Sequence, residues 1–252
     1  MNAPLLTLSG ITQSFPSGTQ ALRPVDLSIA EGSFVSLVGP SGCGKSTLLR
    51  IASGLLTPTS GRVARAFESK PGGVAFVFQD STLMPWATVA RNVSLPLELA
   101  GVAAPEAVVR ATDALRRVGL AEFADAYPRQ LSGGMRMRVS IARAIVTNPR
   151  LLLMDEPFAA LDEFTRFKLN EDLLQLWQAN RWTVMFVTHS VREAVFLSER
   201  VVVMSPRPGA VVADLTIHLP APRTDAMRLG HAFADECARL THILGQAMGV
   251  AA

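Results

Sequence analysis

The chain has 252 residues, 49% of them apolar and 18% charged, with a formal net charge of +3. That length suits one large α/β domain, or one domain carrying an inserted subdomain, in a soluble globular protein. The weak charge and the lack of a dense Lys/Arg block argue against nucleic acid as a partner.

The opening "MNAPLLTLSGITQSF" has no basic n-region and no long apolar run, so no signal peptide is expected. Leu5–Leu8, Val25–Ile29 and Ser33–Val38 read as strands, punctuated by Gly10, Gly18 and Gly32. A helix is expected from Gly44 to about Ser53, then a buried strand over Val74–Phe78. From Pro85 to Pro149 helical patterns dominate, over Val108–Val118 and Met135–Val146, which suggests an inserted helical subdomain. Strands return at Leu151–Met154, Val184–Val187 and Val201–Met204, with helices near Phe167–Ala179 and Val191–Leu197 between them. Strands alternating with helices imply a parallel sheet covered on both faces. Beyond Pro220 and Pro222, Met227, Phe233, Cys237, Leu240, Leu244 and Met248 recur at mostly helical spacing, the mark of an amphipathic C-terminal helix. No apolar run approaches the roughly 20 residues that span a bilayer. Cys43 and Cys237 are the two cysteines, and so few fit a reducing compartment without a structural disulfide.

Three stretches carry chemistry. "GPSGCGKST" runs Gly39, Pro40, Ser41, Gly42, Cys43, Gly44, Lys45, Ser46 and Thr47, between an expected strand and an expected helix. Its glycines let backbone N–H groups approach phosphate oxygens, Lys45 brings positive charge to the β/γ-phosphates, and Ser46 offers a hydroxyl to Mg²⁺. The following helix points its positive end at the same anion. "LLLMDEP" places Asp155 and Glu156 at the carboxyl end of a buried strand, where ligands of such sheets sit. Asp155 is placed to help hold Mg²⁺, and Glu156 to polarise a water aimed at the γ-phosphate. "QLSGGM" sets Ser132, Gly133 and Gly134 at the start of another helix. Capping alone explains Ser132 there, yet the same N–H groups suit an anion. Each of the phosphate-loop and "LSGG" matches arises by chance about once in a hundred such chains, and both together about once in ten thousand.

Phosphate loop, "LSGGM" and "LLLMDEP", in this order, resemble the nucleotide-binding subunit of an ABC transporter. Gln79 in "VFQD" matches that family's Q-loop, "ALD" at Ala160–Asp162 its D-loop, His189 in "VTHS" its switch histidine, and Phe15 its adenine-stacking aromatic. The resemblance runs over about residues 5–210. It implies a P-loop NTPase fold of ABC type: a parallel sheet core, an N-terminal antiparallel β part and an inserted helical subdomain. Residues 1–84 and 150–219 would form the two parts of the ATP-binding core, 85–149 the helical subdomain and 220–252 a C-terminal helical extension. It implies ATP and Mg²⁺ as ligands, with Ser46, Gln79 and Asp155 near the metal and Glu156, His189 and Gln79 in catalysis. Two copies would pair head to tail, so that Ser132, Gly133 and Gly134 of one meet ATP held by the other and Asp162 touches the other subunit. Met137 stands where the family usually has Gln, and Ala159 where relatives often have Gly; neither touches the phosphate chemistry.

"LMPWATVARNV", "DEPFAALDEFTR" and "VREAVFLSERVVVMSPRPG" are similar to the nitrate/sulfonate/taurine branch of bacterial importers. That similarity implies an ATPase peripheral to the cytoplasmic face of the inner membrane. Its partners would be permease subunits docked near Gln79–Trp86 and, indirectly, a periplasmic or lipid-anchored solute-binding protein. Trp86 reads equally as partner contact and as core of the helical subdomain. A soluble ABC ATPase without a transporter and a phosphate-loop kinase are the other classes. The first usually carries long coiled-coil inserts or tandem halves, and the second leaves "LSGGM" and His189 without a role.

Overall fold

A computed structural model describes residues 4–68 and 70–249. In chain order, strands β1 (Pro4–Ser14), β2 (Gln20–Ala30) and β3 (Phe34–Val38) lead into helix α1 (Lys45–Ser53), then β4 (Ser60–Arg65) and β5 (Val74–Val77). Helices α2 (Val89–Leu99), α3 (Ala104–Arg117) and α4 (Gly133–Ile145) follow, then β6 (Leu151–Asp155), α5 (Glu163–Asn180), β7 (Thr183–Val187) and α6 (Val191–Leu197). The chain closes with β8 (Arg200–Met204), β9 (Val211–Thr216) and α7 (His231–Ala247). Two compact units result, Met1–Phe67 with Thr183–Ala252, and Glu68–Trp182.

In the first unit, β2, β1 and β4 form an antiparallel sheet in that order. Leu6 lies opposite Ile29 and Leu8 opposite Leu27, all four buried. A second set runs β7–β3–β8–β9, the first three parallel. Every residue of β3 and of β7 is buried. Strands covered on both faces need no polar alternation, which is why "FVSLV" and "TVMFV" read as nearly unbroken apolar runs. Strand β9 lies antiparallel against β8, with Val201 opposite Leu215, and adds an antiparallel edge that the alternating-element pattern did not announce. Its side chains alternate between half-buried and exposed, so it lacks the apolar run of its neighbours. Strand β4, "SGRVAR", escaped notice for a similar reason, having one large apolar residue in six.

In the second unit, β5 pairs in parallel with β6, Val77 opposite Met154. Helices α2, α3 and α4 pack on one another, and α4 also meets β5 and α5. Helix α2 was hidden from the sequence reading by Pro96, which lies within its last turns. Its start is defined by Thr88, whose hydroxyl accepts from the Arg91 amide at 3.2 Å.

The C-terminal stripe is helical but begins later than its first member. Met227 belongs to a short 3-10 turn over Asp225–Leu229, and α7 starts at His231. Phe233 and Leu240 are buried, while Met248 is exposed. Helix α7 packs on α6 and β8. Among the described residues, no helix is long and apolar enough to cross a membrane.

Candidate functional site

In the first unit the phosphate loop follows directly from the carboxyl end of β3. Gly44 has φ +102° and Gly42 φ +73°, a region that favours glycine. A Cβ on Gly44 would also lie 2.6 Å from Leu22 Cδ2, so both conformation and space exclude a side chain there. Gly44 is the N-cap of α1 and brings no side-chain acceptor. The N-cap itself therefore supplies no side-chain cap, and the positive end of the helix faces the loop. Lys45 is 5% exposed, and its Nζ donates to the Gly39 carbonyl at 2.9 Å and the Pro40 carbonyl at 3.0 Å. Cys43 is buried, Pro40, Ser46 and Thr47 are half-buried, and Ser41 is exposed.

His189 reaches the same edge of this unit. Strands β3 and β7 are parallel and in register, Leu37 opposite Val187, and the Thr188 amide donates to the Leu37 carbonyl at 3.2 Å. The exposed His189 thus leaves the sheet beside the start of the phosphate loop. The turn after it is pinned twice. Ser190 caps α6 by accepting from the Glu193 amide at 3.3 Å, and the Thr188 hydroxyl is hydrogen-bonded to the Glu193 carboxylate. Phe15 lies in the β1–β2 turn, 37% exposed, and its backbone hydrogen bonds stay within that hairpin.

Arg207 and Gly209, in "SPRPG", carry no local sequence signature that ties them to this loop. Arg207 Nε donates to the Gly42 carbonyl at 3.0 Å. The Gly209 amide donates to the Ala21 carbonyl at 2.9 Å, and its position against the Cys43 carbonyl leaves no room for a Cβ. The β8–β9 loop therefore braces the outer rim of the phosphate loop.

In the second unit the paired ends of β5 and β6 bring Gln79 and the carboxylates together. Asp155 ends β6 and is buried, Glu156 follows half-buried, and Gln79 lies two residues past β5, exposed. Glu156 has φ +46°, an uncommon state for a residue with a side chain, costing on the order of 1–3 kcal/mol. Strain of this kind persists where the surroundings fix a side chain in place. Here the Ala159 amide bonds back to the Glu156 carbonyl at 3.1 Å and closes the turn.

The segment after Gln79 is held by two polar side chains that the sequence did not flag. Arg143 of α4 donates to the carbonyls of Ser81 and Thr82, each at 2.9 Å, and burial lowers its pKa from the usual arginine value. The fully buried Asn92 accepts from the Met84 amide at 2.7 Å and donates to the carbonyls of Met84, Ala87 and Thr88 at 3.0–3.2 Å. The loop so fixed presents Trp86 outward, 76% exposed, which rejects the core-filling reading for this side chain. In the same unit, Phe76, Phe78, Thr82, Leu95 and Leu99 line a mostly apolar groove of about 480 Å³.

Ser132 caps α4 by accepting from the Met135 amide at 3.3 Å. A Cβ on Gly134 would lie 2.6 Å from Thr165 Cγ2, so α4 and α5 meet here without room for a side chain. Asp162 caps α5 through the Thr165 amide at 2.9 Å, and that bond holds its carboxyl below the usual range. The "LSGG" turn and Asp162 thus meet around Thr165.

A sequence profile described as ABC transporter matches residues 22–159. The taurine import ATP-binding protein of Rhizobium johnstonii is 52% identical over 196 residues, 77% of this chain and 75% of its own. The nitrate import ATP-binding protein of Synechocystis sp. is 47% identical over 203 residues, 79% of this chain and 76% of its own. Among solved structures, an ATP-binding cassette captured as a dimer after hydrolysis, with ADP and Pi, superposes with TM-score 0.73. It is 34% identical and covers 85% of this chain and all of its own. With a glycine-built anion loop, a second glycine-opened helix start and a strand-end carboxylate pair in one chain, this chain belongs to the ABC transporter family.

Proposed function

We propose that the chain is the ATP-binding and ATP-hydrolysing subunit of an ABC importer for a small anionic or sulfonated solute of the nitrate, taurine or sulfonate type. The observation that carries this reading is the pairing of two anion-ready helix starts, at Gly44 and at Ser132–Gly134, in a chain whose relatives are named for import. One helix start suffices for a kinase. Two are what a pair of subunits needs when each completes the other's nucleotide site.

The backbone of Gly39–Gly44 and the Lys45 ammonium bind the triphosphate, and Phe15 offers a π-face to adenine. The Ser46 hydroxyl, the Asp155 carboxylate and the Gln79 amide oxygen are hard donors of the kind Mg²⁺ takes, and would hold it. Bound there, Mg²⁺ would neutralise charge on the phosphates. Glu156, whose backbone stands at φ +46°, accepts the proton of the attacking water. His189 holds the γ-phosphate in its reacting geometry. Ser132, Gly133 and Gly134 of a second copy close on that phosphate, and Asp162 touches the partner copy. ATP thereby joins the dimer and hydrolysis releases it.

The outward Trp86 and an apolar groove in the same unit support docking of a permease segment on the second unit. The solute-binding protein then meets the permease on the other side of the membrane, and this ATPase works peripherally on the cytoplasmic side. Reconstitution with the neighbouring permease in vesicles tests the reading. ATP-dependent uptake of taurine, nitrate or an alkanesulfonate is the expected result, and ATP turnover with no permease association favours a non-transport ABC ATPase. Replacing Trp86 by Ala should weaken permease co-purification about tenfold or more. Undiminished recovery would remove Trp86 from the docking surface.

A further inference from the structure

Helix α6 has seven residues, under two turns, and is too short to be stable alone. It begins two residues after His189, with Ser190 between them. Its N-terminal end is held by Ser190 and by the Thr188–Glu193 hydrogen bond. Its C-terminal end needs partners for carbonyls that no helix can satisfy internally. Those partners come from the C-terminal extension. Arg223 Nη1 lies 3.1 Å from the Val195 carbonyl, 3.0 Å from that of Phe196 and 2.7 Å from that of Ser198. A guanidinium there also opposes the negative end of the helix dipole. Burial lowers Arg223's pKa, while Glu199 and Glu236 act the other way and favour its charged form.

Two stacked contacts reinforce the clamp. The buried Arg228 guanidinium lies 3.5 Å from the centre of the Phe196 ring and is paired with Asp225 at 2.8 Å. In the other direction, Arg192 of α6 lies 5.3 Å from the centre of the Phe233 ring on α7. At the far end of α6, Ser198 is hydrogen-bonded through its hydroxyl to Ser36 of β3, the strand that feeds the phosphate loop.

We propose that the C-terminal extension is a brace on α6, and that Arg223 is a positioning residue that fixes the turn carrying His189 during ATP turnover. This rests on the proposed role of His189. The extension thereby acts on the rate of the chemical step while touching no nucleotide.

Steady-state ATPase assays on Arg223→Ala, Arg223→Lys, His189→Ala and the double Arg223→Ala/His189→Ala variant test it. Arg223→Ala should lower kcat about tenfold and leave KM for ATP within about twofold, since a small misplacement far from the chemistry acts on the reacting geometry. Arg223→Lys should recover part of that loss. In the His189→Ala background the Arg223 substitution should add nothing, because the group it positions is gone. A merely structural role would lower the melting temperature without this split or this non-additivity. Wild-type kcat in Arg223→Ala, or losses that multiply in the double variant, would overturn the proposal. Wild-type turnover in His189→Ala alone would instead overturn the role of His189 beneath it. If Arg223→Ala does not accumulate as folded protein, Arg223→Lys carries the same comparison in both backgrounds.

Discussion

Glu156→Gln should leave ATP binding intact and lower ATP turnover by about 10²–10⁴-fold, the usual contribution of a general base. The amide matches the carboxylate in size and can still hydrogen-bond a water, but it cannot take its proton. The backbone at Glu156 already sits at φ +46°, closed by the Ala159 amide, and nothing in the substitution relieves or adds to that strain. Binding should be unaffected because the anion-holding groups are elsewhere, in Gly39–Thr47. A single-turnover assay of phosphate release checks this directly. Release at the wild-type rate would take the base role from Glu156 and leave Asp155 or Gln79 to orient the water.

Lys45→Ala should raise the dissociation constant for ATP on the order of 100-fold. A charge-assisted hydrogen bond contributes about 1.5–3 kcal/mol, and two such bonds to phosphate oxygens reach that factor. Lys45 is 5% exposed and its ammonium donates to the Gly39 and Pro40 carbonyls, so its charge is held along the loop. The substitution also leaves those two carbonyls without this donor, and some loosening of the loop adds to the loss. Titration with a fluorescent ATP analogue measures the effect. Affinity within threefold of wild type would mean that the backbone amides alone carry the triphosphate.

The glycine-built turn between β3 and α1 was legible in the sequence because its signature is local. Gly42 and Gly44 take the left-handed backbone there, within three residues of each other and directly before α1. The buried strands β3, β6, β7 and β8 were legible because full burial leaves a nearly unbroken apolar run. Strands β4 and β9 were not, since each lies at a sheet edge and keeps a half-polar face. Helix α2 was masked by Pro96 and by polar Asn92, whose side chain is buried against the backbone of Met84, Ala87 and Thr88 just before and at the start of the helix. Arg207 and Arg223 were invisible because their partners are far off in the chain. Their acceptors lie 165 residues away at Gly42 and 25–28 residues away at Val195–Ser198, and no local pattern encodes such a pairing. Whether Trp86 faced inward or outward also depended on how Asn92 and Arg143 fold the loop beneath it.

The central claim is that one chain holds half of each nucleotide site and that ATP joins two copies. Sedimentation velocity of the Glu156→Gln protein, with Mg²⁺ and with or without ATP, measures it most directly. Without nucleotide the chain should sediment at its own mass of 27.0 kDa, and with saturating ATP at twice that mass. A species that stays at the monomer mass when ATP is bound would contradict the account, because Ser132 and Gly134 would then have no phosphate to meet and Asp162 no partner copy to touch.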